Sequence, residues 1–175
     1  MALIYITGIE TAGKTTVCNE LKRRGYEAHD IDKGIAHYYD NVTGKQSEWN
    51  GSAERRTKEW HETRDYMMDR AHVERFGEEA KHKMIFLCGT TQSDEVVLDL
   101  FDKIAYLYLD ETTLRERMNK RLETEFAFAL HEQQAVLSWH KSSEDVYRKR
   151  GAVMIDATQP VDAVVNEIIS KVGLR

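Results

Sequence analysis

Short apolar segments alternate with longer amphipathic stretches along almost the whole chain. The apolar segments predict buried strands, and the stretches between them have the three-to-four-residue spacing of helices. This alternation predicts a parallel sheet covered by helices on both faces, with ligands at the carboxyl ends of the strands. Strands are expected at 3–7, 26–30, 84–88, 104–109 and 152–155, and helices at 14–24, 52–81, 93–100, 112–122, 131–150 and 161–172.

A glycine-rich loop follows the first predicted strand. It reads Gly8-Ile9-Glu10-Thr11-Ala12-Gly13-Lys14-Thr15 and matches G-x-x-x-x-G-K-[ST] at every fixed position. In this pattern, backbone N–H groups hold phosphate oxygens, the lysine adds charge near the β- and γ-phosphates, and the final hydroxyl binds Mg²⁺. Together with Thr16 in the first helical turn, the loop predicts a site for a nucleoside triphosphate and Mg²⁺.

Other motifs narrow the class of nucleotide-binding protein. A GTPase needs N-K-x-D and D-x-x-G, but Asn119-Lys120-Arg121-Leu122 fails the first and the second does not occur, so ATP is expected. Asp110 and Glu111 end an apolar segment, as in the acidic strand of motor and AAA-type ATPases. The same two acids also suit the first turn of the next helix. An ATPase switch or assembly factor therefore stays as an alternative, as does a nucleotide-binding module without transfer activity.

Further charged residues extend the predicted site beyond the loop. Asp30 and Asp32 are two residues apart at the end of the second strand, so both carboxylates lie on one side of an extended chain. We expect Asp30 to join Thr15 in holding Mg²⁺ and to contact substrate, and Asp32 to orient or deprotonate an acceptor oxygen. Arg64 is a charge in the apolar stripe of the predicted 52–81 helix, which makes it a candidate substrate contact.

The combination of motifs resembles the nucleoside monophosphate, shikimate and gluconate kinases, an adenylate-kinase-like group, over nearly the whole chain. The features that carry the resemblance are the phosphate loop, the D-x-D after the second strand, a third apolar strand that ends in Gly89-Thr90, and a late arginine helix. It implies a three-layer α/β P-loop NTPase fold with a five-stranded parallel sheet, helices on both faces and a small helical lid. Residues 1–175 would form one kinase domain, with an acceptor-binding insert at about 33–82 and the lid at about 117–132.

The resemblance also implies roles for single residues. Gly89 and Thr90 would contact the acceptor, and Arg117 and Arg121 would be catalytic lid arginines that act with Lys14 on the transferred phosphoryl group. The loop of Asp156, Ala157 and Thr158 would hold the adenine through its backbone. The chain lacks the arginine that shikimate kinases carry about one turn before Tyr147, and it lacks the D-G-[FY]-P-R loop of adenylate kinases. Both departures weigh against shikimate and AMP, so the small-molecule acceptor could present a phosphate or a hydroxyl.

Composition limits the partners of the protein. The chain has 25 Lys and Arg against 30 Asp and Glu, a net charge of −5, which argues against binding of nucleic acid or of an anionic membrane surface. No apolar run reaches the roughly 20 residues of a membrane span. Two cysteines without a CxxC spacing, and no signal peptide, predict free thiols and a cytoplasmic protein. Monomer and homodimer are both left open.

Overall fold

Eight strands and six α-helices make up the part of the chain that the structure, a computed structural model, describes: residues 1–49 and 51–173. No helix among these residues combines the length and the apolar content needed to cross a bilayer. The elements, in chain order, are β1 (Ala2–Gly8), α1 (Lys14–Arg23), β2 (Glu27–Asp30), β3 (Ala36–Asp40), β4 (Gln46–Ser47), α2 (Lys58–Glu62), β5 (Arg64–Met68), α3 (Arg70–Ala80), β6 (Met84–Cys88), β7 (Lys103–Tyr108), α4 (Glu111–Met118), α5 (Leu130–Lys149), β8 (Val153–Asp156) and α6 (Val161–Val172).

The main sheet has five parallel strands in the order β2-β6-β1-β7-β8. Its central strand, β1, is buried at all seven residues, because helices cover both faces. Ile4 and Ile6 pack with α1 and α6 on one face, whereas Leu3 and Tyr5 pack on the other face with residues of α3. The predicted fold class is therefore confirmed, and all five predicted strands form this sheet. Cys18 and Cys88 are buried free thiols.

The predicted 52–81 helix is wrong. The structure has a five-residue helix, α2, then strand β5 and then α3 over this stretch. Thr57 accepts a hydrogen bond from the backbone N–H of Trp60, and Asp69 accepts one from that of His72, so each helix has its own N-cap. The helical spacing of the apolar residues across 60–71 is accidental, because β5 between the two caps is extended.

Strands β3, β4 and β5 form a small antiparallel sheet in the order β4-β3-β5. Tyr38 and Tyr66 face each other across β3 and β5 with their ring centroids 4.6 Å apart. Such cross-strand aromatic pairs stabilise a sheet more than helix propensity stabilises a short isolated helix. The insert expected at about 33–82 thus contains a sheet that the hydrophobic pattern did not predict.

Two further predicted helices differ from the structure. The stretch 93–100 contains two short 3₁₀ turns, Asp94–Val96 and Leu98–Leu100. Helix α4 ends at Met118, and residues 119–129 form turns without a helix before α5 begins. The segment expected as a helical lid, about 117–132, is therefore helical only at its two ends, and 119–129 between them is irregular backbone.

Candidate active site

The phosphate loop joins β1 to α1 and forms the floor of the site. A Cβ atom at Gly8 would lie 2.3 Å from the carbonyl oxygen of Leu107, so only glycine fits between the two strands. Gly13, the N-cap of α1, has φ of 90°, and no side chain caps the helix. No side chain therefore competes for the N–H groups of the first helical turn, and a helix N-terminus left open in this way is suited to bind phosphate.

Lys14 is folded back onto the loop. Its Nζ donates to the carbonyl oxygens of Gly8, at 3.0 Å, and of Ile9, at 2.9 Å, and lies 4.0 Å from a carboxylate oxygen of Glu10. An ammonium group so placed has both the charge and the reach to bind a nucleotide phosphate in the loop.

Thr15 and Asp30 fit the requirements of a Mg²⁺ ion. The Thr15 hydroxyl donates to Oδ2 of Asp30 at 3.1 Å, and Asp30 is only 7% exposed. A hydroxyl and a carboxylate at the edge of a phosphate-binding loop supply the hard oxygen ligands that Mg²⁺ prefers. The other carboxylate oxygen, Oδ1, accepts from the backbone N–H of Asp32 at 3.1 Å and thereby orients the group.

Asp32 faces the cavity beside Tyr66. Burial in the cleft raises the pKa of Asp32 above its ordinary value, and the hydrogen bond that the Tyr66 hydroxyl donates to Oδ1, at 2.5 Å, opposes the rise. The negative charges of Asp30 and Glu10 raise the pKa further. A carboxyl group with a raised pKa close to a phosphate site is suited to accept a proton from an attacking hydroxyl.

Gly89 and Thr90 lie next to the phosphate loop at the end of β6. The backbone N–H of Gly89 donates to Ile6 O at 3.0 Å, and the Thr90 hydroxyl donates to Gly8 O at 2.6 Å. A Cβ at Gly89 would meet the side chain of Ile31 at 2.1 Å. Glycine at this position therefore leaves room for the side chain of Ile31, which directly follows β2.

The two predicted lid arginines make different contacts. Arg117 donates to Thr11 O and to Ala157 O, both at 3.0 Å, and so connects the phosphate loop to the loop after β8. Arg121 pairs with Glu10 at 3.1 Å and with Glu125 at 2.8 Å. Both arginines line the cavity.

Arg64 lies on strand β5 rather than on a helix, and it is not among the residues that line the cavity. Its guanidinium sits 5.0 Å from the ring centroid of Trp60 and donates to the Thr63 hydroxyl at 2.9 Å. These contacts give the charge a local partner on the insert and place it away from the cavity wall.

Asp110 and Glu111 serve the start of α4. Oδ1 of Asp110 accepts from the backbone N–H of Thr113 at 2.9 Å, and Glu111 pairs with Arg115 at 2.7 Å. Both acids are exposed. Their contacts match a helix N-cap and a surface ion pair, as expected for the first turn of a helix.

The loop after β8, which was expected to hold the adenine, is not part of the cavity wall, but Arg117 connects it to the phosphate loop. Oδ1 of Asp156 accepts from both the backbone N–H and the hydroxyl of Thr158, at 2.9 and 2.7 Å, which makes a tight turn. Ala157 N donates to Tyr108 O at 3.0 Å, so β8 stays paired with β7 up to this turn.

A cavity of about 1810 Å³ extends from the phosphate loop under the small sheet and along α5. The side of the cavity under the small sheet and along α5 is the acceptor side of the predicted site. It has an aromatic wall whose residues come from distant parts of the chain and form no local sequence pattern. Tyr38 stacks on Trp49 at 5.4 Å, and Phe126 stacks on Trp139 at 6.5 Å. The residues of this aromatic wall are Tyr38, Trp49, Tyr66, Phe126 and Trp139.

A buried ion pair fastens the insert to α5. Arg56 and Glu132 have fully buried side chains, and Arg56 Nε donates to Glu132 Oε1 at 2.9 Å. Arg56 also donates to the carbonyl oxygens of Glu123 and Glu125, at 2.9 and 3.0 Å. Nothing in the local sequence around Arg56 distinguishes it from the exposed Arg55, so this insert–lid ion pair could not be predicted.

His61 and His131 lie beside this pair. His61 Nε2 is 3.0 Å from Glu132 Oε1, and the ligand atoms of His61, His131 and Glu132 lie within 4.8 Å of one another. The carboxylate already neutralises the guanidinium of Arg56, whose positive charge would repel a metal cation at the same oxygen. We therefore interpret the trio as part of the insert–lid contact.

Comparison with solved structures agrees with the fold. A shikimate kinase from Acinetobacter baumannii in complex with shikimate matches with a TM-score of 0.59 and 19% identity, over 99% of this chain and 96% of that one. A deoxyadenosine kinase from M. mycoides with bound dATP matches with a TM-score of 0.56 and 19% identity, over 99% and 100%. A gluconokinase from Sinorhizobium meliloti 1021 matches with a TM-score of 0.53 and 17% identity, over 96% and 89%.

At the level of sequence, no curated protein matches. A family model described as an AAA domain matches residues 4–156, which include the phosphate loop, most of β1 and the other four strands of the main sheet. The chain therefore belongs to this AAA-domain family, and its fold is that of the P-loop small-molecule kinases.

Proposed function

We propose that this protein is a kinase that transfers the γ-phosphoryl group of ATP, with Mg²⁺, to a small-molecule acceptor. The observation that carries the proposal is the continuous cavity that joins the phosphate loop to Asp32, because a nucleotide and an acceptor oxygen can meet in it. The solved structures of similar fold are of kinases for shikimate, deoxyadenosine and gluconate, which supports the same reaction class.

In this proposal, nucleotide binding is the task of the phosphate loop and the loop after β8. Backbone N–H groups of residues 8–16 and the ammonium group of Lys14 hold the phosphates, and Lys14 leaves the carbonyl groups of its own loop to do so. The loop of 156–158 holds the adenine. Thr15 and Asp30 would hold Mg²⁺, which when bound neutralises charge on the phosphates.

Phosphoryl transfer then depends on Asp32. For a hydroxyl acceptor, Asp32 accepts a hydrogen bond from the hydroxyl group. It then removes the proton as the hydroxyl oxygen forms its bond to the γ-phosphorus. The bond from that phosphorus to the β–γ bridging oxygen breaks, and ADP leaves. Arg121 would exchange Glu10 for the transferred group, and Arg117 would hold the two nucleotide loops together. For a phosphate acceptor, the base is less important because no hydroxyl proton has to be removed.

The experiment is an assay of acceptor-dependent ADP release with product mass, across nucleosides, nucleoside monophosphates, polyols, amino sugars and sugar acids. Lys14→Met should lower transfer by about 10²–10³-fold, because a charge that stabilises the transition state is lost. Lys22→Met, an exposed lysine two turns further along α1, is the matched control and should stay within about twofold of the parent. Slow ADP release that no acceptor stimulates would contradict the kinase proposal and favour the ATPase alternative.

A further inference from the structure

Three buried side chains on the cavity wall each have a polar atom without a hydrogen-bond partner. They are the Thr91 hydroxyl, Oδ2 of Asp94 and the Tyr106 hydroxyl, and the three residues are 7%, 5% and 2% exposed. Buried polar atoms in native proteins nearly always have a partner, so several unpaired ones along one wall call for an explanation. A bound molecule that supplies the missing hydrogen bonds is one such explanation.

Asp94 is held so that one oxygen stays available. Arg150 donates to Oδ1 at 3.2 Å, and the guanidinium lies 5.5 Å from the ring centroid of Tyr147. Burial raises the pKa of Asp94, and Arg150 opposes the rise. The unpaired Oδ2 is therefore a strong acceptor for a hydroxyl or amino group and would be stabilised by one.

Tyr106 offers a hydroxyl beside a flat aromatic surface. Its ring stacks on that of Tyr147, with 4.8 Å between the centroids. Burial raises the pKa of Tyr106 far above the neutral range, so the phenol keeps its proton and can donate or accept. The wall of the same cavity thus contains the Tyr106 hydroxyl, which can donate or accept a hydrogen bond, and the Asp94 carboxylate, which accepts one.

The segment that carries Thr91 and Asp94 is linked by hydrogen bonds to the phosphate loop and, through Tyr66, to Asp32. Thr90, the neighbour of Thr91, donates to the carbonyl oxygen of Gly8 in the phosphate loop. Gln92 exchanges two hydrogen bonds with the backbone of Tyr66, both 2.9 Å, and the Tyr66 hydroxyl binds Asp32. A molecule that reached from Asp32 to Asp94 would lie along this segment.

The charges around the acceptor side disfavour anions. Three cations on this side are already in ion pairs: Arg56 with Glu132, Arg150 with Asp94, and Lys58 with Glu62. Carboxylates of the insert and of the 3₁₀ turns also line the cavity, namely Glu48, Glu62, Asp94 and Glu95. A phosphate or carboxylate here would have to displace an existing ion pair and approach several negative charges.

We propose that Thr91, Asp94 and Tyr106 form a recognition subsite for a hydroxyl or amino group at the end of the acceptor remote from the phosphorylated oxygen. The acceptor is then a ring compound rich in hydrogen-bond donors, without a phosphate or carboxylate. This inference rests on the proposed function, because it names the class of acceptor that the same cavity takes.

The test compares matched compounds: adenosine with AMP, and glucosamine and glucose with gluconate. Binding to the protein in the presence of ADP and Mg²⁺ is followed by the fluorescence of Trp49 and Trp139, which line the cavity. We expect at least one of the three compounds without an acid group to bind, and its acidic counterpart to bind at least about tenfold more weakly, the factor that corresponds to 1.4 kcal/mol.

Tyr106→Phe removes only the unpaired hydroxyl. It should weaken binding of the accepted compound about 3–10-fold, the value of one hydrogen bond, and leave the affinity for ADP unchanged. The melting temperature should change little, because the hydroxyl has no partner within hydrogen-bond distance and only a weak interaction with Ser143. Tyr108→Phe is the matched control: it is on the same face of β7, two residues further on and outside the cavity wall, and should change neither affinity.

Three results would overturn the subsite: equal binding of an acidic counterpart, no binding by any of the compounds, or unchanged affinity in Tyr106→Phe together with a lower melting temperature. The binding assay requires no turnover, so it separates the two proposals. Binding that depends on Tyr106 without phosphoryl transfer would support the subsite and contradict the kinase. Transfer to AMP that is insensitive to Tyr106→Phe would support the kinase and remove the subsite.

Discussion

At the scale of single residues, opposing interactions determine the pKa of Asp32. Burial raises the pKa of its carboxyl group, the Tyr66 hydroxyl lowers it, and the nearby carboxylates of Asp30 and Glu10 raise it again. The folded protein therefore binds a proton at Asp32 more tightly than the unfolded chain does. An ionised Asp32 costs folding free energy and, in the proposed reaction, is the form that accepts a proton.

This balance makes Asp32→Asn informative. Because the folded pKa is raised, the contribution of Asp32 to stability is largest at low pH and is lost as the pH rises above the ordinary value of 3.8. Near pH 7 the asparagine variant should thus melt slightly above the parent, because solvent at the exposed carboxylate screens most of the cost of its charge, and the difference should disappear below about pH 4. Transfer to a hydroxyl acceptor should fall about 10²–10⁴-fold.

Thermal melts from pH 3 to 8, paired with rates of transfer, measure both effects. Asp65→Asn, a half-buried aspartate of β5 outside the cavity wall, is the control and should change neither. A full transfer rate in Asp32→Asn would rule out proton transfer to this residue and favour a phosphate acceptor.

At the scale of elements, structure that depends on residues close together in the sequence could be predicted, whereas structure that depends on distant residues could not. The phosphate loop and the Thr15–Asp30 contact could be predicted, because a local motif and a strand end determine them. Strand β5 could not be predicted, because its conformation depends on pairing with β3. The paired residues are far apart in the sequence: Tyr38 pairs with Tyr66, 28 residues later. The hydroxyl of Tyr66 reaches Asp32 only as a result of that pairing.

The stability contributed by the insert–lid ion pair of Arg56 and Glu132 can be measured by mutation. Arg56→Met leaves Glu132 buried without its guanidinium and should lower the free energy of unfolding by about 3–5 kcal/mol. The double variant Arg56→Met/Glu132→Leu removes both charges and should recover most of that loss, because no isolated charge stays buried. Denaturant unfolding of the single and double variants measures the coupling between the two positions.

The dependence on pH supplies the check. Burial alone would raise the pKa of Glu132, but hydrogen bonds from His61 and Arg56 lower it to about 2. A depressed folded pKa stabilises the protein above the ordinary value of 4.5, and this stabilisation is lost as the pH falls toward 2. The stability of the parent should therefore fall relative to that of the double variant, which lacks Glu132, over that interval. Arg55→Met, at an exposed neighbouring arginine, should leave the stability unchanged.

At the scale of the whole molecule, nucleotide and Mg²⁺ binding should be visible as stability. A ligand at 100 times its Kd stabilises the folded state by about 2.7 kcal/mol, which for a chain of this size raises the melting temperature by about 5–10 °C. We expect ATP with Mg²⁺ to produce such a rise, and EDTA or Lys14→Met to reduce it. A rise of equal size in all three conditions would contradict the assignment of Thr15, Asp30 and Lys14.

The overall charge of −5 conceals how charge is distributed around the cavity. Lys14, Arg117 and Arg121 lie at the nucleotide end, and Glu48 and Glu95 lie on the acceptor side. Composition gives no indication of this distribution, because it depends on which side chains line the cavity.

The insert–lid ion pair also limits how freely parts of this protein could be exchanged between relatives. The insert supplies one wall of the proposed acceptor site, and the segment after α4 supplies another; Arg56 of the insert pairs with Glu132 in the first turn of α5, directly after that segment. A chimera that took the insert alone would bury an unbalanced arginine, and one that took only the segment from α4 through Glu132 would bury an unbalanced glutamate. In the proposed kinase, a change of acceptor preference should accordingly require both segments rather than a single loop.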